Sequence, residues 1–219
     1  MRKDIIENWL AQSGYSLSDK QLQQLARYQQ LVLAAPMNLT AITNDEDFAI
    51  KHFLDSLSLL PWVDKLGEAA NCIDIGTGAG FPGVPLKIAR PGLNITLLDS
   101  LLKRILFLRS AMDELGFNDV ECIHARAEDW ANQLAPRYDL AMARAVARLG
   151  KLAGYALPLV EPGGMFLAMK GPDACNEIEE AKPILDKLGG VVEAMEWVDI
   201  SQGVSRVVVV VRKYYDKGR

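Results

Sequence analysis

Two rhythms of apolar residues divide this 219-residue chain near Glu68. Before that point the spacing is helical. Ile5, Ile6, Trp9 and Leu10 recur at intervals of three and four, and Gly14 stops the run. Ser18 followed by Gln21 has the form of a capping box. It opens a second helix carrying Leu22, Leu25, Ala26 and Leu33 up to Pro36, with Tyr28 off the main stripe. The segment from Asn38 to Asn44 reads as a polar loop. Glu46 to about Leu60 is helical again until Pro61.

After Glu68 short apolar runs alternate with helical segments. Strands are predicted at 71–75, 94–98, 119–124, 138–142 and 164–169, and helices at about 84–90, 101–116, 149–160 and 173–188. Such alternation means a parallel sheet covered on both faces. Two further strands, about 190–198 and 205–213, are joined only by a turn around Gln202-Gly203. That turn is too short for a helical crossover, so the last pair must be antiparallel. The expected fold is α/β and Rossmann-like: a seven-stranded, mostly parallel sheet ending in an antiparallel hairpin. Residues 1–48 form an amino-terminal helical extension and 49–219 the main domain. One large class of S-adenosylmethionine enzymes has this hairpin-ended plan, which nicotinamide-binding domains usually lack.

Composition narrows the partners. Half the residues are hydrophobic, enough for one good core. The formal charge of −4 offers no global basic field for nucleic acid. From Ser201 onward, however, five basic residues (Arg206, Arg212, Lys213, Lys217 and Arg219) face one acid, Asp216. Such a cluster can touch phosphate, although a solvated charged terminus is the commoner meaning. Cys72, Cys122 and Cys175 are far apart and form no CxxC pair, and His52 and His124 are the only histidines, so no metal site is expected. Cys72 and Cys122 lie in apolar runs and read as buried thiols. No stretch approaches the roughly 20 apolar residues of a membrane span. A cytoplasmic, monomeric protein without a membrane partner is expected.

The chemistry concentrates at Cys72-Ile-Asp-Ile-Gly-Thr-Gly-Ala-Gly-Phe-Pro-Gly83, where a strand runs into a glycine loop. A second strand then ends in Asp99, an acid able to accept hydrogen bonds from both hydroxyls of a ribose. The dinucleotide fingerprint starting at Gly76 would need a small residue at 81, where this chain has Phe81. Pro82 and Pro85 also remove two of the backbone donors that a phosphate cradle would use. S-adenosyl-L-methionine, which has no phosphate, needs only close backbone approach at Gly76 and Gly78. It is therefore favoured over NAD.

The chain resembles the RsmG family (also called GidB), methyltransferases that make 7-methylguanosine in bacterial 16S ribosomal RNA. The resemblance rests on Asn38-Leu-Thr, Lys51-His-Phe-Leu-Asp-Ser56, Asp74 through Gly83, Leu98-Asp-Ser100, Lys103-Arg104, Arg126-Ala-Glu128 and Ala143-Arg-Ala-Val-Ala147. Family members often carry a Trp-Asn pair shortly before Asn-Leu-Thr, where this chain reads Ala34-Ala-Pro-Met37. The resemblance implies a class I S-adenosylmethionine-dependent enzyme acting on 16S rRNA in the 30S ribosomal subunit. It also implies that Gly76 and Phe81 line the cofactor pocket, that Ala127 and Glu128 read adenine, and that Arg144 binds in the cofactor site.

Each site residue has a second reading. Phe81 could be a core residue under the loop, and Asp99 a helix cap for 101–116. Glu128 could be a surface acid, and Arg144 could form a salt bridge to Asp74 or Glu128. No catalytic residue is assigned; His52 and Arg144 are the candidates, but a lone histidine is more often structural. His52 and Asp55 share one helical face at i,i+3 spacing. Lys51, Lys103, Arg104, Arg148 and Lys170 are candidates for phosphate contact at the rim. The alternative functions are methylation of a protein or small molecule, and nicotinamide-dependent oxidoreduction or noncatalytic nucleotide binding.

Overall fold

The computed structural model describes residues 1–133, 137–144, 147–201 and 203–214. The amino-terminal helices are α1 (Lys3–Gln12), α2 (Asp19–Ala34) and α3 (Asp45–Phe48). A π-helical turn (Ala49–Leu54) leads from α3 into α4 (Asp55–Leu57) and α5 (Leu60–Val63). Then come β1 (Asn71–Ile75), α6 (Gly83–Ala89), β2 (Asn94–Asp99), α7 (Leu102–Leu115), β3 (Glu121–His124), α8 (Ala127–Gln133) and β4 (Tyr138–Arg144). The chain continues through α9 (Leu149–Ala156), β5 (Val160–Lys170), α10 (Ala174–Lys187), β6 (Gly190–Ser201) and β7 (Val204–Lys213).

The strands form one sheet in the order β3-β2-β1-β4-β5-β7-β6. The first five are parallel, and β7 is antiparallel to both β5 and β6. Because β7 lies between two strands, its run Val207–Val211 is buried on both faces. That explains an unbroken valine run where a half-exposed strand would alternate. Cys72, Leu140, Met142, Leu167, Val208 and Val210 point to one face, where they meet Ile6, Leu25, Phe53 and Leu108 of the helices. Ile73, Ala141, Phe166, Val209 and their alternates point to the other face, against α9 and α10.

Several local expectations change. The capping box forms as read: the Ser18 side chain accepts from the Gln21 amide, and Gln21 Oε1 accepts from the Ser18 amide at 2.8 Å. Tyr28, however, is fully buried, while Leu33 is 40 % exposed. The buried stripe runs Leu22, Leu25, Tyr28 and Val32, so the tyrosine belongs on the core side. The helix expected over 46–60 is broken by the π-helical turn, and Pro61 opens α5 instead of ending a helix. Helix α8 was not foreseen. Strand β5 starts at Val160, earlier than expected, and passes Pro162, Gly163 and Gly164 through an irregular register.

Candidate functional site

Parallel strands deliver their carboxyl ends to one edge of the sheet, and there the chain gathers two groups of polar residues. The first is the turn after β1. The Gly76 and Thr77 amides donate to the Leu98 carbonyl at 2.8 and 3.0 Å, pinning the loop to β2. The Gly78 amide donates to Asp99 Oδ2 at 2.9 Å. Asp74 Oδ2 accepts from the Thr77 hydroxyl at 2.7 Å and the Gly83 amide at 2.9 Å. Its other oxygen has no partner among the described residues. Burial pushes the Asp74 carboxyl up to about 6, opposed by those same hydrogen bonds.

The loop is packed from below and open above. At Gly80, with φ at +81°, an added Cβ would run into the Tyr28 hydroxyl and lie 2.7 Å from Val84 Cγ2. The Tyr28 hydroxyl donates to the Ala79 carbonyl, so α2 holds the loop's underside. Gly78, with φ at +60°, has only the Gly76 carbonyl within 4 Å of such a Cβ, at 3.9 Å. This bare surface between the loop and Asp99 is a cradle that side chains would fill, and it fits a ligand needing close backbone approach.

Asp99 is 3 % exposed, and both of its carboxylate oxygens are engaged. Its Oδ1 accepts from the Leu101 amide at 2.9 Å, closing the turn before α7, which itself begins at Leu102 without a side-chain cap, so the cap reading is not realised. Its Oδ2 accepts from Gly78 and, at 3.2 Å, from Arg104. The Arg104 side chain is 38 % exposed and is the partner best able to yield to ribose hydroxyls. The acid and the open surface at Gly78 together suit the cofactor expected from sequence.

The second group is ionic. Arg144, at the end of β4, donates to Asp55 Oδ2 and to the Lys51 carbonyl, both at 2.8 Å. Its other terminal nitrogen lies 3.2 Å from His52 Nδ1, and its guanidinium sits 5.2 Å from the centre of the Phe81 ring. The expected partners Asp74 and Glu128 are thus replaced by Asp55, itself only 1 % exposed. Arg206 closes the network, donating to both Asp55 oxygens at 2.8 and 3.0 Å. It can do so because β7 is antiparallel and begins at the edge where β5 ends.

His52 is 7 % exposed and lies flat on Phe81, with ring centres 4.4 Å apart and 5° between planes. Burial first, and then Arg144, hold its imidazole down at about 4, with Asp55 opposing. His52 is therefore neutral at physiological pH. Its Nε2 lies 2.8 Å from the Thr40 hydroxyl. Phe81, 4 % exposed, packs edge-on against Tyr28, Phe48 and Phe53 and so is a core residue as well as part of the loop.

The other candidates scatter. Ala127 and Glu128 begin α8, and the Glu128 carboxylate is held below its ordinary range by its own backbone amide and the Tyr155 hydroxyl. Lys103 is exposed, and Lys51 pairs with Asp47 at 2.6 Å while staying 42 % exposed. Arg148 bridges Glu180 at 2.8 Å and Asp173 at 3.6 Å on the α10 side. Lys170 is a correction: its ammonium is buried against Glu177 and the Ala147 carbonyl, both at 2.6 Å, which leaves no reach for phosphate. The basic carboxyl-terminal cluster is likewise no free patch. Arg206 holds Asp55, Arg212 holds Glu193 at 3.1 Å, and Lys213 is buried, donating to the Val160 carbonyl. Lys217 and Arg219 lie outside the described residues. Sequence reasoning missed Tyr28, Thr40 and Arg206 as parts of the site. The Asn38-Leu-Thr motif was a signal for Thr40, while Arg206 needed the position of β7.

Comparison with known proteins fits this geometry. Residues 21–203 match the family GidB, described as rRNA small subunit methyltransferase G. The ribosomal RNA small subunit methyltransferase G of Alkaliphilus metalliredigens is 44 % identical over 216 residues, covering 96 % of this chain and 90 % of the relative. The protein of the same name from Clostridium botulinum is 40 % identical over 221 residues, covering 99 % and 92 %. The precorrin-6y C5,15-methyltransferase of Geobacter metallireducens shares the fold with a TM-score of 0.54 at 19 % identity, over 84 % of this chain and 94 % of that one.

Proposed function

The chain belongs to the GidB family of ribosomal RNA small subunit methyltransferases, and on that premise we propose that it methylates N7 of a guanine in 16S rRNA, drawing the methyl group from S-adenosyl-L-methionine. The observation that carries this reading is the open surface at Gly78 facing Asp99, with Arg144 at the same carboxyl edge. Asp99 would hold the ribose, Gly76 and Gly78 would admit the amino-acid portion, and Ala127 and Glu128 would border the adenine. Arg144, fixed by Asp55, would meet the carboxylate. The cofactor supplies a methyl group already activated by its positive sulfur. Guanine N7 carries a free lone pair, so this chain need not remove a proton. Its residues align the two reactants and exclude water; orientation of this kind can lower a barrier by about 7–11 kcal/mol. No residue need act as a nucleophile, in keeping with Cys72 and Cys122, whose thiols burial pushes up to about 12 and about 11.

A-form RNA hides N7 in a deep, narrow groove, so the substrate is an open structure within the 30S subunit and not a plain duplex. Thirty-S subunits from cells lacking the activity, incubated with the protein and labelled methyl donor, should gain label in 16S RNA as 7-methylguanosine. Label on ribosomal protein, or none, would overturn the assignment. Calorimetry should detect S-adenosylhomocysteine binding. Tight binding of NAD without it would point to oxidoreduction instead.

A further inference from the structure

We infer that Thr40 reads the target base: its hydroxyl, held as a donor only, is presented to O6 of the guanine whose N7 is methylated. This inference rests on the guanine-N7 reading above and assigns a residue to its specificity.

The argument follows hydrogen-bond direction from Arg144 outward. A guanidinium has no acceptor, so the 3.2 Å contact from Arg144 requires His52 Nδ1 to be the bare, accepting nitrogen. The neutral ring must then carry its proton on Nε2, which donates to the Thr40 hydroxyl oxygen at 2.8 Å. That oxygen also accepts from the Ile42 amide at 3.1 Å. A hydroxyl has two lone pairs, and both are now used. What remains is its proton, which has no acceptor among the described residues. Arg144 is locked in turn by Asp55, which Arg206 holds from its other side, so the direction of the relay cannot reverse.

Thr40 stands where such a donor would be useful. It lines a cleft of about 280 Å³ with Val32, Leu33, Pro36, Met37 and Asn38. That volume lies near the lower limit of small-ligand pockets, and Asn38, Thr40 and Thr43 give its lining polar groups beside the apolar ones. His52 connects the cleft to the glycine loop by stacking on Phe81. The two purines differ on this edge. Guanine presents two acceptors, N7 and O6, whereas adenine presents the N7 acceptor beside an amino donor. A hydroxyl that can only donate matches guanine and opposes adenine. A hydroxyl free to turn round would accept either.

The test uses 30S subunits assembled with guanine or 2-aminopurine at the modified position, because 2-aminopurine keeps N7 and lacks O6. Thr40→Val should lower kcat/KM on guanine by roughly 10- to 100-fold, the range of one directional base contact. Thr40→Ser should restore most of it. On 2-aminopurine the wild type and Thr40→Val should be equal, as a double-mutant cycle requires for a direct contact. S-adenosylhomocysteine affinity by calorimetry should be the same in all three proteins. Nitrogen-15 resonances of His52 should report a proton on Nε2 and a bare Nδ1 at neutral pH. Thr40→Val retaining full activity on guanine, or losing as much on 2-aminopurine as on guanine, would overturn the inference, as would a proton on His52 Nδ1. Wild-type protein that leaves 16S RNA unlabelled would instead remove the underlying reading, and the inference with it.

Discussion

On one flank of the carboxyl edge, around β1 and β2, the site is built from a glycine loop whose amides are tied to β2 and from a single acid, Asp99. On the other flank, where β4 meets the π-helical turn and β7, it is built from charged side chains that hold one another. Gly78 reaches Asp99 across 21 positions of sequence, whereas Arg144 and Arg206 reach Asp55 across 89 and 151. The first flank takes its shape from local backbone conformation and leaves free space. The second takes its shape from tertiary assembly and is nearly saturated. A flexible adenosine ligand suits the open flank. The saturated flank is suited to imposing direction, because each donor in it has already fixed its neighbour.

Removing one member from each flank should therefore cost different things. Asp55→Ala would strand two guanidinium groups in a largely buried setting, a loss of about 3–5 kcal/mol. For a chain of this size that corresponds to a fall of roughly 10 °C in melting temperature, measurable by calorimetry. A change below about 2 °C would mean that the ion network is incidental. Asp99→Ala should weaken S-adenosylhomocysteine binding by about 10- to 100-fold, the value of one or two hydrogen bonds to a charged group. Unchanged affinity would remove Asp99 from the ribose role and leave it as a brace between the glycine loop and the turn before α7.

The flanks also respond to acid in opposite directions. His52 titrates near 4 in the fold, below its ordinary value of 6.5. The unfolded chain binds its proton first, so this group's contribution is complete above about 6.5 and is lost as the pH falls toward 4. Asp74 titrates near 6, above its ordinary 3.8. Here the folded chain binds the proton first, so stability is gained as the pH falls through 6 toward 3.8. Each effect reaches about 3 kcal/mol, and the two nearly cancel in the wild type. Urea titrations at pH 7.5 and 5 should separate them. His52→Gln should become relatively more stable at pH 5, and Asp74→Asn relatively less. Parallel responses in the two variants would defeat this account.

The contrast between the flanks also explains what could be read from sequence. Strand, glycine loop and Asp99 lie within one βαβ unit, where spacing alone places them. The seven strands were likewise evident from alternating apolar runs. Arg206 looked like part of a basic tail because nothing local indicates that β7 inserts between β5 and β6. Lys170 looked free because Glu177, which neutralises it, lies on the following helix. The π-helical turn adds a residue per turn and so rotates His52 and Asp55 away from simple i,i+3 geometry. Both end on Arg144 instead of on each other. Tyr28 was misplaced because helical periodicity gives a stripe but not its centre.

The smallest expected effect lies within the glycine loop, where the open and packed surfaces are two residues apart. Gly78→Ala and Gly80→Ala both place a Cβ on a residue with positive φ, which costs about 1–2 kcal/mol. At Gly80 that Cβ also meets the Tyr28 hydroxyl and Val84, so further stability is lost through displaced core atoms. At Gly78 the methyl enters open space, and the folding cost should stop near about 1 kcal/mol. If this space receives the cofactor, Gly78→Ala should lose binding out of proportion to its small change in melting temperature, while Gly80→Ala shows the reverse order. Calorimetric affinity for S-adenosylhomocysteine set beside the melting temperature of each variant decides the matter. Equal losses of affinity would mean that the loop acts as one strained unit and that its upper surface has no separate role.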